Sequence, residues 1–276
     1  PELLAALQAA ASVDTGNLFW AEALAEALGR ISGPEAEAAL VEGFAGLAEH
    51  WRLSYWYGDH DALMACHASP PHALLLAALD HRGSTAAAPL APAILRSLPT
   101  DPDRLLAYAT DDYERLAGRV LRRAGLLDDL VETCLALLGD PAARSVPELA
   151  EAISVRHGAW AGSPGAEIRA AQTLSALGPP AAYLPRIIAR YEHWSTQPMT
   201  PPHVFDRGIP VIEELPLRHW VSFYLARTLG QDGSRAAVDA LLAGLASPPE
   251  AADGRPDPLG VGVLFLHNDL TPCWRA

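Results

Sequence analysis

The chain of 276 residues has no lysine; all 20 of its basic residues are arginine. Richness in alanine, glycine and proline points to a coding bias. The alternative is avoidance of a nucleophilic amine near a reactive partner, and the residues themselves do not separate the two. Cysteine is nearly absent as well. Cys66, Cys134 and Cys273 are odd in number and far apart, with no C-x-x-C pair. That excludes a disulfide framework and a zinc ribbon. Long apolar runs are missing although 50% of the residues are hydrophobic. The stretch "LGVGVLFL" (259–266) falls far short of the roughly 20 residues that span a bilayer. No charged-then-apolar leader is recognisable, and the expectation is a soluble, cytoplasmic protein without a membrane partner.

Positive charge is scarce. The formal net charge is -13. A field of that sign repels phosphate backbones and anionic membranes and favours a cationic partner. The segment "RLAGRVLRR" (115–123) is the one candidate basic patch. It places Arg115, Arg119, Arg122 and Arg123 near one helical face. The usual explanation of such a run is a solvated or salt-bridged helix face, and a nucleic-acid partner is not expected.

What is present is helical periodicity. "LFWAEALAEALG" sets Leu18, Ala21, Leu24 and Leu28 on one stripe. "EIRAAQTLSALG" does so with Ile168, Ala171, Leu174 and Leu177, and "HWVSFYLARTLG" with Val221, Leu225 and Leu229. Each ends in Leu-Gly, at Gly29, Gly178 and Gly230, which predicts a left-handed glycine cap at each end. A second helix is expected after each, over 34–51, 180–194 and 234–246. Pro34 and Pro180 suit a first helical turn, Ser234 an N-cap, and Pro185 a bend or the true start of its helix. Further helices are expected near 71–82, 86–98, 101–110, 111–124, 126–139 and 146–158. Nothing alternates with the period of a strand. The proline-rich stretch 195–210 is too long for a routine connector. The tail 247–276 begins as a Pro/Asp linker and ends apolar, as a docked segment would.

The helix–Leu-Gly–turn–helix unit in "IRAAQTLSALGPPAAYLPRIIARY" (168–191), "VSFYLARTLGQDGSRAAVDALLAGL" (221–245) and "LFWAEALAEALGRISGPEAEAALVEGF" (18–44) resembles the HEAT-like repeats of α-solenoids. The resemblance covers about a quarter of the chain, and its period is irregular. It implies an all-α fold, an αα-superhelix of about six helical pairs over 1–246 followed by the irregular tail 247–276; an irregular helical bundle is the alternative. In such a solenoid each unit buries its apolar stripe against its neighbours, and the second helices line a concave wall. Proteins of this kind mostly bind proteins or peptides. Some bind nucleic acid, as the alkylpurine DNA glycosylases do, and others act near cofactors, as the phycobilin lyases do.

Chemistry-bearing side chains concentrate in "EHWRLSYWYGDHD" (49–61). Asp59, His60 and Asp61 are consecutive, and in a tight turn after Gly58 two of them would converge. Five of ten histidines (His50, His60, His67, His72, His81) fall in this region, with Cys66 nearby. No ligand spacing such as H-E-x-x-H occurs, so no metal site and no cofactor are expected. Glu-His-Trp recurs at 192–194, and both copies are expected to finish a helix, where histidine suits the dipole and tryptophan seals a gap. Tyr55, Trp56 and Tyr57 are consecutive and cannot all be buried, which makes them candidate binding residues with Trp194 and Trp220. The acids Asp128, Asp129 and Glu132 have the DDxxE spacing with which terpene cyclases hold magnesium. They also fall where a helix begins and the dipole favours acids. No GxSxG, P-loop or GxGxxG is present. The first expectation is therefore a binding module whose protein, peptide or small-molecule ligand lies on an acidic, aromatic-bearing concave face. The alternative is an enzyme on the same scaffold, with His60 or His219 as acid/base and Asp59 or Asp61 as partner in a tryptophan-lined pocket.

Overall fold

The structure is a computed structural model of the chain, and it describes residues 2–11, 18–57, 71–98, 108–154, 165–196 and 217–246. The described residues are all-α, with twelve α-helices and no strand. In chain order these are α1 (Glu2–Ala11), α2 (Leu18–Arg30), α3 (Pro34–Tyr57), α4 (Pro71–His81), α5 (Ala91–Ser97) and α6 (Tyr108–Arg123). They continue with α7 (Leu127–Leu137), α8 (Pro147–Ser154), α9 (Ala166–Leu177), α10 (Leu184–Ser195), α11 (Leu217–Asp232) and α12 (Arg235–Ala246). No described helix is long and apolar enough to cross a membrane.

Three features differ from the sequence reading. Of the three expected glycine caps only Gly178 is left-handed (φ 58°), with its N–H donating to the Leu174 carbonyl at 3.1 Å. Helices α2 and α11 run through Gly29 and Gly230 and give way near Gly33 (φ 106°) and Gly233 (φ 64°) instead. Gly29 serves packing: a Cβ there would lie 3.0 Å from the Ala78 Cβ of α4. Second, α3 does not finish at Trp51 but continues to Tyr57, because no glycine or proline falls between Trp51 and Gly58. Third, the helix expected over 86–98 is split. Pro89 and Pro92 sit in the first turns of a 3-10 turn (Ala88–Leu90) and of α5, where a missing N–H is tolerated. The helix expected at 101–110 lies mostly outside the described residues, and α6 takes in the one expected at 111–124.

Other expectations hold. Pro34 opens α3 and Pro185 falls in the first turn of α10. Ser234 caps α12, its Oγ accepting from the Ala237 N–H at 3.3 Å. Ile168, Ala171, Leu174 and Leu177 are buried, as are Val221, Leu225 and Leu229.

The described residues form two compact units. One holds those up to Asp128 with Glu151–Ile153; the other holds Asp129–Ala150 and those from Ser154 on. In the first unit α1 packs on α2 and α3, α2 on α3 and α4, α3 on α4 and α5, and both α4 and α5 on α6. Gly43 lets α3 approach two helices together: a Cβ would lie 3.1 Å from Leu4 of α1 and 3.2 Å from Leu75 of α4. Helices α4 and α6 run parallel. His72 meets Tyr113 at one end, and Asp80 meets Arg119 and Arg123 at the other. In the second unit α9 packs on α11, α10 on α11 and α12, and α11 on α12. Every residue of α9 from Ile168 to Ser175 is buried, including Arg169, which is engaged with a partner. The tail 247–276 lies outside the described residues.

Candidate functional site

Of the nine candidate site residues, Trp194 alone has a described side chain. Asp59, His60 and Asp61 lie outside the described residues. Tyr55, Trp56 and Tyr57 belong to the last turn of α3, and His219 and Trp220 to the first turn of α11, with side chains outside those described. Trp194 sits on α10, half-buried, and its indole N–H donates to the Leu138 carbonyl at 3.2 Å. It is the last member of a row at i, i+4, i+8. Arg190 donates to the Gly139 carbonyl at 2.7 Å, and Arg186 lies one turn earlier.

Arg186 is the centre of a charge network. Its guanidinium meets Glu132 at 2.6 Å and Asp140 at 2.7 Å, and its carbon stands 5.9 Å from the Tyr183 ring centroid. The side chains of Glu132 and Asp140 are only 15% and 9% exposed, so the interaction is weakly screened. The Arg186 hydrogen bond holds the Glu132 carboxyl below its usual range, against the opposing effect of burial. For Asp140 burial is the larger single influence and acts upward, yet the bonds from Arg186 and the Ala142 N–H leave it lowered. Arg144 completes the network, reaching Asp129 at 2.7 Å while its backbone N–H donates to Glu132. Two of the three DDxxE acids are thus bound by guanidinium groups. Among the described residues no group of three or more His, Cys, Asp or Glu side chains is placed to hold a metal ion. Cys134 is fully buried, and burial pushes its thiol far up.

The first unit has two features of a different kind. The arginine row on α6 is engaged: Arg119 pairs with Asp80 at 2.9 Å and Arg123 at 2.8 Å. This is the salt-bridged helix face. On α2, Trp20 is 68% exposed and Ile31, just past the helix end, 47%. Exposed Ala27 lies two turns on from Trp20 and about 20° round the helix, while Gly29 packs on Ala78 of α4. The Arg82 guanidinium from the α4 end holds the exit of α2, donating to the carbonyls of Gly29 (3.0 Å) and Ile31.

His72, in the first turn of α4, is wholly buried. The Tyr113 ring is 5.2 Å away and the Phe44 ring 6.3 Å, inclined to it at 77° and 61°. Neither ring nitrogen has a hydrogen-bond partner. Burial pushes its pKa down to about 3, so the imidazole is neutral. The Tyr113 hydroxyl lies 2.5 Å from Ser97 Oγ, which donates to the Ile94 carbonyl at 2.8 Å.

Sequence reasoning singled out neither Trp20 nor the burial of His72. Both had a signal. Trp20, Leu24, Ala27 and Ile31 make a second apolar stripe beside the Leu24–Leu28 one, more than one packed face needs. His72 stands at i, i+3, i+4, i+7 with Leu75, Leu76 and Leu79, the buried face of α4. Comparison with known protein families, with curated proteins and with solved structures finds no match.

Proposed function

We propose that the chain is a HEAT-like binding module, and that the apolar face of α2 built by Trp20, Ala27 and Ile31 is part of the surface that holds its partner. The observation that carries this reading is the exposure of the Trp20 indole on a helix that buries Ala25 and Leu28. A large aromatic left in water loses the transfer free energy it would gain by burial, about 2 kcal/mol or more, and an indole is a preferred anchor at interfaces. The solenoid part of the reading is supported by the packing within each unit. Within each unit α1 packs on α3, α2 on α4, α3 on α5, α4 on α6, α9 on α11 and α10 on α12, and α4 and α6 run parallel, as equivalent helices of stacked hairpins do.

The partner is a protein or peptide with an apolar anchor. The net charge of -13 favours a cationic one. Arg119, Arg123, Arg144 and Arg186 are each bound to a carboxylate, which supports a ligand other than nucleic acid. The test is affinity capture with the wild-type chain and Trp20→Asp, with Leu242→Asp at an exposed position of α12 as the matched control. The reading expects a partner retained by wild type and by Leu242→Asp but lost from Trp20→Asp. Equal capture by all three contradicts it.

A further inference from the structure

We propose that His72 makes the junction of α3, α4 and α6 an acid-sensitive switch: a proton on its imidazole finds no acceptor there and drives α4 away from its neighbours. The geometry carries the inference. His72 has no exposed surface, its two nitrogens bond to nothing, and rings close it in from two helices. A charged imidazole carries two N–H donors, and burying both without acceptors is far costlier than burying the neutral ring.

No charged group among the described residues offers relief. From α3 the neighbour is Phe44; Glu37 of the same helix is bound to Ser84 and Glu42 is exposed. From α6 it is Tyr113, whose hydroxyl is turned to Ser97 of α5. Glu114, the next residue, is buried too, but it projects about 100° away around the helix and is engaged with a partner. On α4 itself Asp80 lies two turns on and is paired with Arg119 and Arg123, and His81 is exposed. The α2 acid, Glu26, is exposed and paired with Arg30. Burial is the one cause of the lowered His72 pKa, with no opposing carboxylate.

The direction of the switch follows. A group whose folded pKa is depressed from 6.5 to about 3 leaves the folded state short of a proton relative to the open one over that whole interval. The stability it allows is intact above 6.5 and is lost as the pH falls below it. The opening constant of the junction therefore rises about tenfold per pH unit below 6.5, or about 25-fold from pH 7.0 to 5.0. The carboxylates of the Arg186 network in the second unit have ordinary values of 4.5 and 3.8 and lowered folded ones, so they stay ionised over this range.

The experiment is amide hydrogen exchange on the full chain at pH 7.0 and 5.0, corrected for intrinsic rates and read by peptide. Protection is expected to fall about 25-fold over 34–57, 71–81 and 108–123 and to hold over 184–195 and 217–246. His72→Phe and His72→Gln should abolish the first change. Unchanged protection of the α3, α4 and α6 peptides in the wild-type chain overturns the proposal, whatever the variants do. So does an equal fall in both units, or a fall that survives in either folded variant.

Discussion

His72 and Arg186 each tie together elements of one unit, and they do it by opposite means. His72 is neutral, wholly buried and without a hydrogen bond; its contribution is to fill space between two aromatic rings. Arg186 is charged, 29% exposed, and spends its guanidinium on two carboxylates. The first arrangement costs the unit an unsatisfied polar ring at every pH and a charging penalty in acid. The second is weakest when the carboxylates gain protons. Two helical units with the same alanine- and leucine-rich composition thus both lose stability on protonation, one by charging an imidazole and the other by neutralising carboxylates, in separate pH ranges. The titratable residues at a junction, rather than the apolar core around it, set how each unit responds to its surroundings.

The contrast is most strongly tested by Arg186→Ala. It strands Glu132 and Asp140 at low exposure, and a loss of about 2–3 kcal/mol at pH 7 is expected by chemical denaturation. Both carboxylates have lowered folded pKa values, so this stabilisation is present above their ordinary values and fades as the pH falls through the folded ones. The gap between wild type and variant should therefore close in acid. Arg186→Lys should restore only part of it, since an ammonium cannot match the guanidinium fork. Next comes His72→Phe, whose stability relative to wild type should improve by about 1.7 kcal/mol between pH 6.5 and 5.0, a slope of the same sign but at higher pH than that of the Arg186 variant.

Gly244→Ala probes packing in the second unit without touching a charge. The new methyl would meet the Tyr191 hydroxyl and ring, and a loss of about 1–2 kcal/mol with no pH dependence below 7 is expected from thermal melts. The smallest effect belongs to Arg119→Ala in the first unit. Its pair with Asp80 has an arginine 53% exposed, so a change within about 0.5 kcal/mol, vanishing in high salt, is expected. A large effect there would mean that the first unit also relies on ion pairs, and the comparison would fail.

Much of the architecture was legible in the sequence. The 3.6-residue stripes located the helices, and proline and serine marked the starts of α3, α10 and α12, because those signals act within one turn. The Leu-Gly pairs misled at Gly29 and Gly230. Gly29 answers a packing need set by Ala78, on a helix distant in sequence, and local pattern carries no trace of that. The site was less legible. "YWYGDHD" drew attention by composition, whereas Trp20 and His72 matter through exposure and burial, which arise only when helices pack. The arginine row of α6 and the acids of α7 looked like ligand sites because their partners, Asp80 for the one and Arg144 and Arg186 for the other, lie 15–54 residues away in the chain.

The central claim is that His72 is buried neutral while its unit is folded. Its imidazole carbon shifts in the isotopically labelled chain, followed by NMR from pH 8 to 4.5 and assigned by loss of the signal in His72→Phe, test it most directly. The account predicts a resonance that stays at the neutral position throughout the folded range and jumps to the protonated position only as unit-one amide signals disappear. A smooth titration near 6.5 in the folded chain would contradict it.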